Sequence, residues 1–366
     1  MTPGFHTLSK IHNFNAGPSI LPASVFAEAA AAILNFNNSG LSILEIGHRT
    51  PEFTAVMEEA RSLVKEIMQL DNDHEVLFLH GGATTQFMQV PMNLLDAKET
   101  AAYTDTGVWG TKAIKEAKLF GKVDVVCTSK DKNYNYIPKD FAVPNDAKYL
   151  HITTNNTIYG TQWQSIPHTS NILVADMSSD IFSRALNFNE FGLIYAGAQK
   201  NLGPAGATLV IVNKNITGKI KRNIPPIMDY QNHIRENSML NTPPVFAVYV
   251  CMLTLRWLKK EGGIAEMEKR NLAKAELLYN EIDRNSLFTG TAAKEDRSRM
   301  NASFVMHNPE MEKSFLSFAS ERGIYGIKGH RTVGGFRASM YNALPIQSVE
   351  TLVQCMQAFE NEVGNK

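Results

Sequence analysis

The chain has 366 residues, 44% hydrophobic and 20% charged, enough apolar material for a large core and a composition typical of globular proteins. Lysine plus arginine and aspartate plus glutamate both number 36, a balance that argues against a general nucleic-acid or membrane surface. Cys127, Cys251 and Cys355 are too scattered for a disulfide framework or a metal site, and no apolar run is long enough for a signal segment or a membrane span, so the sequence reads as cytoplasmic with no metal.

Residues 1–17 lack periodicity and read as an extended arm reaching Gly17-Pro18. Pro22 then opens an alanine-rich helix to about Leu34. Thr50 can cap and Pro51 can start a helix to about Leu70, which leaves His48 and Arg49 in the preceding loop. Such a pair suits either an anionic ligand or plain solvent. Glu75–His80 reads as a strand, and Gly81-Gly82-Ala83-Thr84 as the turn into a helix to Leu95. Free N–H groups and the positive helix end there suit a phosphate, while nucleotide-loop spacings and the P-loop lysine are missing.

Ala101–Asp105 is the next expected strand, with Trp109 on the loop after it and a helix from about Gly110 to Phe120 stopped by an αL glycine at Gly121. Signals are weak from Lys122 to Lys148 apart from a strand at Val123–Cys127. Tyr149–Thr154 reads as a strand and Asn155–Gly160 as a turn. Ile172-Leu173-Val174-Ala175-Asp176 reads as a buried parallel strand with its acid at the carboxyl end, where open α/β sheets place ligands.

Tyr195-Ala196-Gly197-Ala198-Gln199-Lys200-Asn201-Leu202-Gly203-Pro204-Ala205-Gly206 sets one lysine among small residues between two short strands. A flat ligand can approach such an amine, and partial desolvation would make it a nucleophile toward carbonyls, the chemistry of a Schiff base with pyridoxal phosphate. Taken alone, the segment fits a solvated turn lysine equally well. Thr242 reads as a cap for a helix over Val245–Lys260, Gly262-Gly263 breaks it, and a helix follows to about Asn285. A strand near Ala302–Met306, a helix Pro309–Arg322, paired strands through Met340 and a last helix suit a small α+β domain. Strand alternation would put Arg331 and Arg337 on one face unless Gly334-Gly335 breaks it.

Asp-x-Ser-Ser at Asp176–Ser179 followed by Ala-Gly-Ala-Gln-Lys-Asn-x-Gly-Pro-Ala-Gly at Ala196–Gly206 resembles the phosphoserine aminotransferases, fold-type I, class V pyridoxal phosphate enzymes. The resemblance runs from Asn13–Pro18 to Gly329–Asn342. It implies an α/β fold: a large domain, 18–262, with a mostly parallel central sheet flanked by helices, and a smaller C-terminal α+β domain, 263–366, on which the arm packs. It also implies pyridoxal 5'-phosphate held by Lys200, with Asp176 at the ring nitrogen, Trp109 stacked on the ring and Thr157 at the phenolic oxygen. Ala83, Thr84 and Gln199 fall among the cofactor contacts, and Asn241 and Thr242 would reach the cofactor phosphate of the other subunit of a homodimer. Relatives often carry arginine where this chain has Thr84, so either another cation makes that substrate-phosphate contact or affinity for the phosphorylated substrate is lower. His48, Arg49, His330 and Arg331 match the residues for the substrate phosphate, and Arg337 the one for the α-carboxylate.

The implied reaction passes the amino group of glutamate to 3-phosphohydroxypyruvate, giving O-phospho-L-serine and 2-oxoglutarate in serine biosynthesis. Some members also serve the phosphorylated hydroxythreonine step of pyridoxine synthesis. The nearest alternative is another class V enzyme, a serine or alanine–glyoxylate aminotransferase, which would not need the His-Arg pairs. A cysteine desulfurase lacks its reactive cysteine here. A short-chain reductase would need Tyr-x-x-x-Lys, but four residues separate Tyr195 from Lys200. A non-catalytic binding module would leave Lys200, Asp176 and Arg337 without a common explanation.

Overall fold

The structure is a computed structural model and describes residues 11–364, so the first ten residues of the expected arm lie outside the described residues. Its centre is a seven-stranded sheet. Across it run His74–Leu79, Thr208–Asn213, Leu193–Gly197, Ile172–Asp176, Tyr149–Thr153, Thr100–Asp105 and Lys122–Thr128. Thr208–Asn213 is antiparallel to both neighbours and the other six strands point one way, as expected for a mostly parallel sheet.

Side chains alternate across this sheet. Val76, Phe78, Leu150 and Ile152 pack on one face against the helices Ala23–Leu34, Pro51–Ile67 and Val245–Lys260, while Leu77, Leu79, Tyr103 and Tyr149 pack on the other with Gly82–Leu94 and Val108–Ala117. Burial on both faces explains the near-continuous apolar strands in the sequence. The edge strand Lys122–Thr128 is largely exposed and carries Lys122 and Asp124, charges that discourage edge pairing.

A second core surrounds the antiparallel strands Phe288–Gly290, Asn301–Met306 and Phe336–Ser339. Phe288, Phe304, Phe315 and Phe336 meet there with centroids 4.9 to 6.0 Å apart, spacings that favour aromatic pairs. Phe14 is buried in this core, and the short strand His12–Asn13 pairs in parallel with Ile324–Tyr325. The helix Gly263–Arg284 joins the two cores, with Ile264 and Met267 in the first and Leu278 and Ile282 in the second.

Several local expectations change. Trp109 sits in the first turn of the helix Val108–Ala117 rather than on a loop, because the Gly107 carbonyl already accepts from Thr111 N at 3.0 Å. Gly121 is no αL stop. It is required by close packing, since a Cβ there would lie 2.7 Å from Leu95 Cγ and 2.8 Å from the Asp96 carbonyl. Thr50 precedes its helix without a side-chain capping bond, and Pro244, not Thr242, is the residue at the cap of Val245–Lys260. Arg331 lies in a turn that ends at Gly334 and Gly335, both at positive φ, so strand alternation does not reach back from Arg337. The turn expected at 155–160 narrows to 157–160, because Asn155–Asn156 pair with Thr161–Gln162 on either side of it.

Candidate active site

Six of the central strands share a direction, so their carboxyl ends fall on one edge of the sheet, and five of those ends lead directly to expected site residues. Leu79 leads to Ala83 and Thr84, Asp105 to Trp109, and Thr153 to Thr157. Asp176 ends its own strand, and Gly197 leads to Gln199 and Lys200.

Lys200 Nζ donates to Thr157 Oγ1 at 3.0 Å and lies 5.7 Å from the Trp109 ring centroid. Burial pushes its ammonium down to about 8, with the Arg337 charge acting in the same direction and Asp176 and Asp180 opposing. The lysine stem is fixed from the N-terminal side. A Cβ on Gly17 would sit 3.1 Å from Lys200 Cγ, Ser19 N donates to the Gln199 carbonyl at 3.1 Å, and Ser19 Oγ donates to the Lys200 carbonyl.

Asp176 is buried, and its Oδ1 accepts from Ser178 N at 2.9 Å. Burial raises its carboxyl, while Lys200 and the Ser178 hydrogen bonds hold it down. Ser178 Oγ also accepts from Gly197 N at 3.1 Å, tying the acid's strand to the lysine's strand. Ser178 and Gly17 are two positioning residues whose role the sequence motifs alone do not assign. The signal was there, since a serine after a strand-end acid and a glycine before proline both mark backbone constraint.

Ala83 and Thr84 lie in the first turn of the helix Gly82–Leu94, preceded by Gly81 at φ +93°, so their N–H groups precede the first helical acceptors. Asn241 lines a cleft of about 140 Å³ with Gly81 and Thr85, and the Thr242 carbonyl bonds His80 Nε2 at 2.9 Å. Both therefore lie beside this chain's own glycine turn.

Arg337 stands on the strand Phe336–Ser339, opposite Ser303, with Nε buried and unpaired. Burial lowers its guanidinium, and burial followed by Arg337, Arg331 and Lys112 lowers the His330 imidazole. Arg331, Arg337 and Lys112 have no ion pair among the described residues. His48 has a buried, unpaired Nε2, and Arg49 is exposed. Neither makes a hydrogen bond or ion pair among the described residues, whereas contacts or mutual charges link Lys200 with Thr157, Trp109, Asp176 and Arg337, and Arg337 with His330.

A family profile, aminotransferase class-V, matches residues 11–352. The phosphoserine aminotransferase of Flavobacterium johnsoniae is 58% identical, over 97% of this chain and 100% of its own. The chain belongs to the phosphoserine aminotransferases of class V. The solved phosphoserine aminotransferase of Bacillus circulans subsp. alkalophilus superposes with a TM-score of 0.94 at 41% identity, covering 97% of this chain and 99% of that one. The pyridoxal phosphate-bound enzyme of Trichomonas vaginalis gives 0.90 at 35% identity, over 95% and 100%.

The family's cofactor is pyridoxal phosphate, and the residues fit that group. The Lys200 amine is desolvated, a buried carboxyl stands at a neighbouring strand end, an aromatic ring lies beside the amine, and a helix N-terminus opens onto the same sheet edge. These are the four contacts that an aldehyde, a ring nitrogen, a ring face and a phosphate require. Among the described residues, no helix is long and apolar enough to cross a membrane, and no cluster of three or more potential metal-binding side chains occurs.

Proposed function

We propose that the chain transfers the amino group of glutamate to 3-phosphohydroxypyruvate, yielding O-phospho-L-serine and 2-oxoglutarate. The observation that carries this reading is a lysine amine depressed to about 8 under the charge of Arg337, which with Arg331 and Lys112 also acts on His330 and, like them, has no carboxylate partner among the described residues. Two anionic groups on one small substrate would satisfy that group; alanine or serine, with one carboxylate, would not.

When bound, the cofactor supplies an electrophilic carbon for amines and an electron sink for the substrate α-carbon. Lys200 holds it and then carries the proton to and from that carbon through Nζ, which a lowered pKa suits at neutral pH. Asp176 keeps the ring nitrogen protonated, Trp109 fixes the ring plane, and Thr157 and Gln199 orient it. Ala83 and Thr84 take the cofactor phosphate through backbone N–H groups. Arg337 forks onto the α-carboxylate, and His330 and Arg331 hold the substrate phosphate.

The remaining cations, His48 and Arg49, serve the site of a second copy in a homodimer, and Asn241 and Thr242, which border this chain's glycine turn, reach across the same interface to the cofactor phosphate of the other subunit. Phe26, Leu34, Leu41 and Leu44 are exposed in the stretch leading to His48, an apolar surface that association would cover. Residues 18–262 form the cofactor domain and 263–366 the small one, with the N-terminal segment packed on the latter. The enzyme works in the cytoplasm, in keeping with three free cysteines.

The test is the absorbance spectrum of the purified protein during separate additions of O-phosphoserine, glutamate, serine and alanine. Bleaching of the yellow band by the first two alone is the expected result. A response to serine or alanine instead would move the activity to another class V aminotransferase.

A further inference from the structure

Trp109 and Lys112 lie three residues apart on the helix Val108–Ala117, hence on one face, and Lys112 Nζ sits 4.6 Å from the indole centroid. Lys200 Nζ is 5.7 Å from the same centroid. The ring thus has an amine from the catalytic turn and an amine from its own helix beside it. Val333, in the turn that carries His330 and Arg331, packs with Val108 and Trp109 against the same cluster of Tyr134, Ile158 and Tyr159, so that turn borders the Lys112 helix, and the Lys112 charge acts on His330 alongside Arg337 and Arg331.

Glu116, one turn further along the same helix, makes no ion pair with Lys112 among the described residues, and Asp105, the next acid in sequence, is held by other groups. Asp105 is engaged by Thr111 Oγ1 at 2.8 Å, Thr128 Oγ1 at 3.2 Å and Tyr134 OH at 3.3 Å, all neutral donors. Lys112 itself has no ion pair or hydrogen bond among the described residues. Like charges gathered this way repel, and a bound dianion would reverse the sign of that interaction.

We propose that Lys112 is a further cation of the substrate-phosphate subsite, gripping the phosphate from the Trp109 side opposite His330 and Arg331. The proposal rests on the phosphoserine reading above. A lysine that only steadied Trp109 would act through the ring and affect every substrate alike; one that reads phosphate affects phosphorylated substrates alone.

The test titrates the cofactor band of the holoenzyme with O-phosphoserine and with glutamate, for wild type, Lys112→Ala and Lys112→Arg, and measures inhibition by inorganic phosphate. For Lys112→Ala, the half-saturating phosphoserine concentration should rise about fivefold, a modest factor because an exposed lysine is screened. Glutamate should stay within about twofold, the phosphate inhibition constant should rise with phosphoserine, and Lys112→Arg should restore both. Equal losses on both substrates, or none on phosphoserine while wild type still prefers it to serine, would overturn the role of Lys112 alone. A wild type that cannot tell phosphoserine from serine would overturn the functional reading and this inference together.

Discussion

Lys200 offers the sharpest quantitative test. An ordinary lysine near 10.4 is about 0.04% neutral at pH 7, whereas one near 8 is about 9% neutral, a gain of more than two hundredfold in nucleophile from environment alone. Removing the cofactor and mixing the apoprotein with fresh pyridoxal phosphate should therefore give a capture rate that rises about tenfold per pH unit below 7.5 and levels off above about 8.5. The absorbance change in a stopped-flow instrument reads this directly. Competitive acetylation of Lys200, followed by peptide mass spectrometry, reads the same proton without the cofactor. Asp176→Asn removes the charge that opposes the depression, so the acetylation midpoint should move further down. A capture rate still climbing past pH 10, or an Asp176→Asn midpoint that moves up, would refute the electrostatic account.

Three other outcomes follow from the same physics. Arg331→Ala should weaken phosphoserine by about tenfold or more while glutamate changes little, and equal losses in the two half-reactions would deny it a phosphate contact. Gly335→Ala places a Cβ 2.5 Å from the Phe304 carbonyl at φ +53°, so it should cost about 1–3 kcal/mol in chemical denaturation and weaken phosphoserine by disturbing the Arg331 turn. Lys274 is 1% exposed, donates to the Met340 and Tyr341 carbonyls, and is pushed down to about 7 by burial and then Arg270. Unfolded, it keeps its proton to about 10.4, so between those values unfolding takes up a proton and stability rises with pH. Wild type should gain about 2 kcal/mol over Lys274→Met between pH 7.5 and 9 in urea melts, and a pH-independent difference would mean the folded lysine stays charged.

Legibility in the sequence followed the range of the forces involved. The parallel strands were readable because burial on both faces leaves unbroken apolar runs, and Asp176 and Lys200 because each interrupts or follows such a run with a polar residue that a core would not keep. The helix start at Trp109 was missed because it depends on a carbonyl supplied by Gly107, a residue that reads as a loop. Gly121 reads as a helix stop until Leu95 and Asp96, more than twenty residues earlier, are placed against it. Lys112 left no trace at all, since a lysine on an exposed helix face looks solvated until Trp109 and His330 are brought to it.

A contrast between two arginines explains why the site is costly without its ligands. Arg297 forks onto Asp283 at 2.7 and 3.0 Å, holds that carboxyl down to about 2, and lies 4.6 Å over the Tyr279 ring, so the fold itself satisfies most of it. Arg337, also largely buried, has an unpaired Nε and no carboxylate among the described residues. Burying a guanidinium without its counter-charge costs several kcal/mol, and truncating a buried partner normally reveals that cost. No carboxylate pairs with Arg337 among the described residues, and the Lys200 ammonium that its charge acts on has the same sign. The apolar sheet and the phenylalanine core must therefore offset the penalty in the free chain, and an α-carboxylate entering the site removes it. The same interaction that destabilises Arg337 in the fold becomes binding energy, directed at the one substrate group common to both amino donors.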